Sequence, residues 1–559
     1  MKKQDADELL ARVLGGKSSE EDRASLLDWL AQNQDQRSEA AEQLVIDSLL
    51  GVTLEKNSGD DFRDRLLQRL ALEQERRSFQ NLGARVQLNS RKLGFILGPL
   101  LATISWFLLH FLLADAPAIA GKAAPACWAG AVLIWCVVWW IFEPVPIAAT
   151  SLIPLALFPL FGVLDEVEIA DSYANHLVIL FLSGFMLSRA MEQSGAHRRL
   201  ALGLVRMIGG SGGRPLVLAC MIASAGLSMW TSNTVTVLIL LPIVIAIIDQ
   251  RRDRQLATPL LLGIAYAAAI GGIASPIGTP PNAVLIAQAD LLVAAGQLAH
   301  PVGFVDWVKF GLPVSLILVP LAWLWLTRGI LPAAPFRIAP LGPWRKAEVR
   351  VSLVLGLTAV LWMTRSDPYG GWSSLLGVPT LKDSTVGLLA VIALFLIPNG
   401  NRDGKNLLEW EHAAKIPWNV LILLGSGIAI GNAIAATGLS QAIAENLNLL
   451  GGLSTLPMVV VVVIAVSLLT EIGSNTATST ILLPLLAATA LAAQIPPMLL
   501  MVPAAMATSC SFLLPVATPP NAVVFAVGEF SIRRMLFEGM VLKAISAVVI
   551  IAVCYLMMA

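Results

Sequence analysis

The sequence predicts an all-α polytopic membrane protein. Eleven transmembrane helices and two opposed re-entrant hairpins form an inverted repeat, preceded by a small N-terminal helical segment. Three observations predict this. The 559 residues are 56% hydrophobic with mean hydropathy +0.73, a membrane-class composition. Charge is concentrated at one end, with residues 1–92 carrying 32 of the 76 Asp, Glu, Lys and Arg. A pair of polar knots set in apolar sequence occurs twice. Ser232-Asn233-Thr234 is followed by Gly278-Thr279-Pro280-Pro281-Asn282-Ala283, and Ser474-Asn475-Thr476 by Ala517-Thr518-Pro519-Pro520-Asn521-Ala522.

Residues 1–92 read as a cytoplasmic helical appendage. Ser18-Ser19-Glu20-Glu21 has a capping-box pattern, and Leu26, Leu27, Trp29 and Leu30 continue an apolar stripe. The start is acidic and amphipathic, so no cleavable signal peptide is expected. From Leu93 on, apolar spans of roughly 15–25 residues follow one another, as a bilayer requires. Basic loops sort them. With Arg85, Arg91 and Lys92 inside, spans near 95–114, 124–141, 147–163 and 176–195 return the chain inside at His197-Arg198-Arg199. Residues 215–248 carry the first Ser-Asn-Thr at their centre and basic loops at both ends, which fits a re-entrant hairpin from inside. Crossings near 258–298, 312–327, 351–364, 385–398 and 417–436 follow. The loops 436–453 and 485–497 lack Lys and Arg, so 454–492 is expected as a hairpin from outside. A crossing near 498–528 and a last span near 537–557 put the C-terminus outside. The transmembrane domain is thus 93–559, with a first repeat of about 124–327 and a second of about 351–559. Two interrupted segments at matching positions of opposed halves point to a binding site at a repeat interface, the pattern of secondary transporters.

Pro and polar side chains are costly at membrane depth unless they line an enclosed or wet site. Ser, Thr, Asn and freed carbonyls are hard oxygen donors that suit a hard cation such as Na⁺. The N-termini of broken helices offer N–H groups and partial positive charge to an anion. Segment 215–248 has no charged residue, and 454–497 has only Glu471. An anion held there would be expected to meet no Arg or Lys, so bound cations would have to supply the positive charge. Glu471 either tunes the second cation position or is hydrogen-bonded structurally. Glu143 reads as a helix-end residue, His197 as the mark of an interfacial helix, and Trp135, Trp139 and Trp140 as interface anchors. The five cysteines read as packing residues. Zero net charge implies no nucleic-acid partner. No enzyme constellation, nucleotide-binding loop or His/Cys metal cluster is visible.

The motifs resemble one family specifically. Ser228-Met229-Trp230-Thr231-Ser232-Asn233-Thr234, Thr470-Glu471-Ile472-Gly473-Ser474-Asn475-Thr476 and the twin Thr-Pro-Pro-Asn-Ala runs are similar to the divalent anion/sodium symporter (DASS) family. So are residues 139–146, Trp-Trp-Ile-Phe-Glu-Pro-Val-Pro, and 181–187, Phe-Leu-Ser-Gly-Phe-Met-Leu. The resemblance covers about residues 94–559. It implies a homodimeric, elevator-type transporter in the cytoplasmic (inner) membrane, with lipid around it. It implies one Na⁺ position from Ser228, Ser232, Asn233 and Gly278, and a second from Thr470, Gly473, Asn475 and Ala517. It places substrate carboxylates on Asn233, Thr234, Thr279, Asn475, Thr476 and Thr518. The expected activity is Na⁺-coupled symport of divalent organic anions, C4-dicarboxylates such as succinate, malate and fumarate. Sodium-independent exchange, citrate or sulfate carriage, and a membrane ligand sensor are the rival readings.

Overall fold

A computed structural model describes residues 91–112, 122–208, 213–251, 254–330, 342–365, 371–378, 380–401, 404–439, 455–471 and 473–558. All belong to one unit, Phe79–Ala559. The capping-box pattern at Ser18 to Glu21, the appendage and most of the 436–453 loop lie outside the described residues.

Among the described residues the fold is helical, with no strand beyond an isolated bridge between Pro398 and Asn406. Eight of the described helices are long and apolar enough to cross a membrane. The main helices are α1 Arg91–Leu112, α2 Ala123–Phe142, α3 Ile153–Leu160, α4 Glu166–Tyr173, α5 His176–Ser194, α6 Ala196–Ile208, α7 Arg214–Ser228, α8 Asn233–Arg251, α9 Arg254–Ile273, α10 Pro280–Ala294 and α11 Phe304–Leu326. They continue as α12 Lys346–Met363, α13 Asp383–Leu396, α14 Trp418–Ala436, α15 Thr455–Leu469, α16 Asn475–Ala492, α17 Pro497–Thr508, α18 Pro519–Phe525 and α19 Ile532–Met558.

Local chemistry sets the ends. Asp165 accepts from the N–H groups of Val167 and Glu168 while Glu168 reaches back to the Asp165 N–H, a capping box that starts α4. Asn175 caps α5 through the Leu177 N–H. Glu143 ends α2 in a left-handed conformation (φ 45°), its N–H on the Trp139 carbonyl, which is the helix-end role its position suggested.

Two stretches repeat one order of elements. In the first, α7 and α8 pack together, α9 packs on both, and α11 covers α9. In the second, α15 and α16 pack together, α17 packs on both, and α19 covers α17. The stretches also interlock. α8 and α9 pack on α18, α16 and α17 pack on α10, and α11 packs on α19. α9 is the most enclosed of the long apolar helices. Its contact with α7 is backbone-close, because a Cβ at Gly271 would stand 2.3 Å from the Ala225 carbonyl oxygen. Gly271→Val is therefore expected to overpack this seam and destabilise the protein by about 1–3 kcal/mol, read as a lowered thermal unfolding midpoint in detergent.

The remaining helices form an outer group in which α14 packs on α2, α4 and α5, and α12 and α13 pack on α5. α14 also meets α10 and α16. Outward faces are apolar: Leu353, Leu357 and Val360 form one exposed stripe on α12, as hydrocarbon contact allows. Ion pairs tie helix ends. Arg328 grips the buried Glu538 with two hydrogen bonds (2.8 and 3.0 Å), and Arg534 joins at 2.7 Å, so α11 is fastened to α19. Arg199 meets Glu348 at 2.7 Å, joining α6 to α12.

Two sequence expectations change in detail and one holds. Trp140 is no interface anchor: it is 1% exposed, and its Nε1–H donates to Ser151 Oγ. An indole with a buried partner belongs in a core. His197 sits on the amphipathic α6 but is itself buried, and its Nδ1–H donates to the Met191 carbonyl at 2.7 Å. Burial lowers its pKa. The five cysteines are free and buried, as packing residues should be.

Candidate functional site

Each motif lies where a helix is interrupted. After α7 the chain turns at Met229 to Ser232 and restarts at Asn233; after α15 it turns and restarts at Asn475, with Ser474 as N-cap. Thr279 and Thr518 are the N-caps of α10 and α18, with nearly equal backbone angles (φ −148°, ψ 142° and φ −143°, ψ 148°). The prolines fit there because the first helical positions need no N–H partner.

The same hydrogen bonds recur in both stretches. Ser228 Oγ donates to Asn233 Oδ1 at 2.5 Å, and Thr470 Oγ1 donates to Asn475 Oδ1 at 2.8 Å. Asn282 Nδ2 donates to the carbonyls of Gly272 (3.0 Å) and Ser275 (2.7 Å). Asn521 Nδ2 donates to those of Ser511 (2.9 Å) and Leu514 (3.2 Å). A buried amide thus cross-braces each break where helical bonding is lost. The break carbonyls are capped as well. Trp307 Nε1–H donates to Ile273 O, and Tyr266 O–H donates to Phe512 O, each at 2.8 Å. The helices behind approach on glycine: a Cβ at Gly311 or Gly539 would stand 2.3 Å from those same carbonyl oxygens.

The expected site residues fall out as follows. Ser228 and Asn233 are in contact, and so are Thr470 and Asn475. Gly278 lies against Gly272, where a Cβ would meet the Gly272 oxygen at 2.5 Å; a Cβ at Gly272 would in turn meet Asn233 Oδ1 at 2.8 Å. Gly278 is therefore within reach of the first pair. Ser232 and Ser474 use their carbonyls on Thr236 and Thr478 N–H groups. Gly473 lies two residues before Asn475 and Ala517 just before Thr518, and among the described residues no hydrogen bond joins them to the Thr470–Asn475 pair. Among the described residues the hydroxyls of Thr234, Thr279, Thr476 and Thr518 have no hydrogen-bond partner within the chain. The packing of α8 on α18 and α10 on α16 brings helices of opposite stretches together around these positions.

Sequence reasoning missed Ser511, Lys543, Trp307 and Tyr266. Glu471 is settled in favour of structure. Its carboxylate accepts from the N–H groups of Phe512 (2.9 Å) and Leu513 (3.1 Å), and Lys543 Nζ is paired with it while also donating to Cys510 O (3.2 Å). The expectation that no Lys or Arg stands near the second motif is corrected: α19 delivers Lys543, a helix outside segment 454–497. Lys543 is paired with Glu471, so together they add no net charge. The Asp306–Lys309 or Arg189–Glu192 pairs could be read from i,i+3 spacing; nothing local links residues 471 and 543. Among the described residues no three His, Cys, Asp or Glu side chains gather as a metal site. The donors at the breaks are hydroxyl, amide and carbonyl oxygens, which fit a hard monovalent cation better than a transition metal.

Comparison with known proteins agrees with this architecture. The family model described as the sodium:sulfate symporter transmembrane region matches residues 98–558. The sodium-dependent dicarboxylate transporter SdcS of Staphylococcus saprophyticus is 37% identical over 522 residues, 89% of this chain and 96% of that protein. The SdcS of Staphylococcus aureus is 38% identical over 493 residues, 83% of this chain and 91% of that protein. Among solved structures, the YdaH transporter of Alcanivorax borkumensis has a similar fold, with TM-score 0.50 and 14% identity over 77% of this chain and 97% of that one. With most of its length matched by the family model and by relatives 37–38% identical, the chain belongs to the sodium:sulfate symporter (DASS) family of multi-pass membrane transporters.

Proposed function

We propose that the protein is a Na⁺-coupled symporter of divalent organic anions, with C4-dicarboxylates such as succinate, malate and fumarate as substrates. The observation that carries this reading is the duplicated Asn–hydroxyl pair at the starts of α8 and α16, each beside the other stretch's Pro-Pro helix. Hard neutral oxygens gather at each break, and the one carboxylate at the second break, Glu471, is paired with Lys543. The N-termini of α8, α10 and α16 offer N–H groups to an anion, and Thr234, Thr279, Thr476 and Thr518 offer hydroxyls. The relatives named sodium-dependent dicarboxylate transporters point to the same chemistry.

Cation positions at Ser228, Ser232, Asn233 and Gly278, and at Thr470, Gly473, Asn475 and Ala517, would balance the charge of a dianion in an otherwise neutral site. The two carboxylates would be held by Asn233, Thr234 and Thr518 on one side and by Asn475, Thr476 and Thr279 on the other. α7–α8 and α15–α16 would be re-entrant hairpins of an eleven-helix inverted repeat, moving as an elevator in a homodimer in the inner membrane. Residues 1–92 would be a cytoplasmic appendage.

Uptake of labelled succinate into proteoliposomes, with and without an inward Na⁺ gradient, tests the function. Gradient-driven accumulation supports symport. Flux only against internal substrate means exchange, and binding without accumulation means a sensor.

Topology is tested by cysteine accessibility, with little background because the native cysteines are buried. Single cysteines at 436–453 and 529–536 are expected to label from outside and inside respectively; labelling from one side only rules out the inverted repeat.

Thr234→Val and Thr476→Val keep shape and remove a donor. Each is expected to weaken succinate by about 5- to 12-fold, the effect of one lost hydrogen bond of roughly 1–1.5 kcal/mol, with a smaller change in Na⁺ dependence. Propionate, which leaves one set of donors unmatched, should compete poorly. Competition equal to that of succinate contradicts a two-ended site.

A further inference from the structure

We infer that Ser511 is a further oxygen of the second cation position, so the two positions differ in their donor sets. This rests on the Na⁺-coupled reading above. Its ground is the register between the two stretches. Asn282 Nδ2 reaches the carbonyls ten and seven residues before it, at Gly272 and Ser275; Asn521 Nδ2 does the same at Ser511 and Leu514. Gly272 and Ser511 are therefore equivalent places. In the first stretch that place has no side chain, and a Cβ there would stand 2.8 Å from Asn233 Oδ1. In the second, Ser511 Oγ lies 2.9 Å from Asn475 Oδ1 and 3.2 Å from Thr470 Oγ1. Thr470 Oγ1 is itself 2.8 Å from Asn475 Oδ1. Three side-chain oxygens converge where the first position has two.

Convergence alone could be a hydrogen-bond knot, because both hydroxyls donate toward one amide oxygen. Each, however, has a backbone carbonyl to turn to. Thr508 O lies 2.8 Å from Thr470 Oγ1, and Thr470 O and Thr508 O each lie 3.4 Å from Ser511 Oγ. A hydroxyl proton rotates freely about its C–O bond. Swinging both O–H bonds onto those carbonyls frees lone pairs for a cation beside Asn475 Oδ1 and leaves each proton an acceptor. The loop bearing Ser511 is held on both sides, since Glu471 takes the N–H groups of Phe512 and Leu513 and Lys543 takes the Cys510 carbonyl. Among the described residues the first stretch shows no such ionic clamp. Its loop is tied by the neutral bond from Ser275 Oγ to Met229 O at 2.5 Å.

The test is a Na⁺ titration of succinate uptake by the full chain in proteoliposomes, for wild type, Ser511→Ala and Ser511→Gly. The glycine variant reproduces the residue of the first stretch and serves if alanine misfolds. Na⁺-induced stabilisation against heat in detergent reads binding without transport. Both variants are expected to need about tenfold more Na⁺ in both assays, the loss of one buried polar partner. Succinate half-saturation at saturating Na⁺ should stay within about twofold, since the cation site is then full. Unchanged Na⁺ requirement in a folded variant, or a loss confined to succinate, overturns the assignment of Ser511 while coupling stands. Wild-type uptake indifferent to Na⁺ removes the coupled reading and this inference with it.

Discussion

Lys543→Met is expected to destabilise the protein by about 3–5 kcal/mol, because it leaves the Glu471 carboxylate buried without its counter-ion. Glu471 and Lys543 side chains are 5% and 9% exposed, so water cannot replace the partner. The loss should exceed that of an exposed pair such as Lys309–Asp306, where about 0–1 kcal/mol is the usual scale. The double variant Glu471→Gln/Lys543→Met removes both charges and keeps an acceptor for one of the two loop N–H groups. It should recover a large part of the loss. Thermal unfolding in detergent measures all three. A Lys543→Met midpoint equal to wild type would mean the pair carries no structural load, and an unrecovered double variant would shift the cost to packing around the lysine stem.

Asn233→Ala and Asn475→Ala are expected to raise the Na⁺ concentration for half-maximal uptake by about 5- to 150-fold each, corresponding to roughly 1–3 kcal/mol for a buried polar partner removed. Each asparagine oxygen is the acceptor for a hydroxyl across a helix break. Its loss takes that acceptor from the hydroxyl and removes one oxygen from the cation position. At Asn475 two hydroxyls, those of Thr470 and Ser511, lose this acceptor, and both can turn to the Thr508 carbonyl. Na⁺ titration of uptake, with a check that the purified variants are folded, decides the matter. Unchanged Na⁺ dependence would make these asparagines braces of polar turns and nothing more.

The two expectations differ in how they could be found. The pairs Ser228–Asn233 and Thr470–Asn475 are five residues apart across a break, so a reader of the sequence can place them by noting polar residues where an apolar helix stops. Thr279 and Thr518 were legible for a related reason: Pro-Pro begins a helix and the residue before it is the cap. Lys543 lies 72 residues from Glu471. In the sequence it is one cation in the long apolar helix α19, and hydropathy alone cannot say which buried acid it meets.

The sequence by itself determined that the chain spans a membrane with apolar helices, where polar knots interrupt them and which oxygen-bearing residues stand at the interruptions. These follow from local rules: apolar length, proline's missing N–H, and the cost of unpaired polar groups in a low-dielectric core. Only the tertiary structure decided what joins those interruptions across the chain. It set α8 against α18 and α16 against α10, brought Ser511 to Asn475, closed Lys543 on Glu471 and Arg328 on Glu538, and buried Trp140. The physical reason is that a buried hydrogen-bonding or charged group must find a partner, but the partner is fixed by which helices pack. Packing depends on shape, down to the missing Cβ atoms of Gly271, Gly311 and Gly539, and not on any periodicity along the chain.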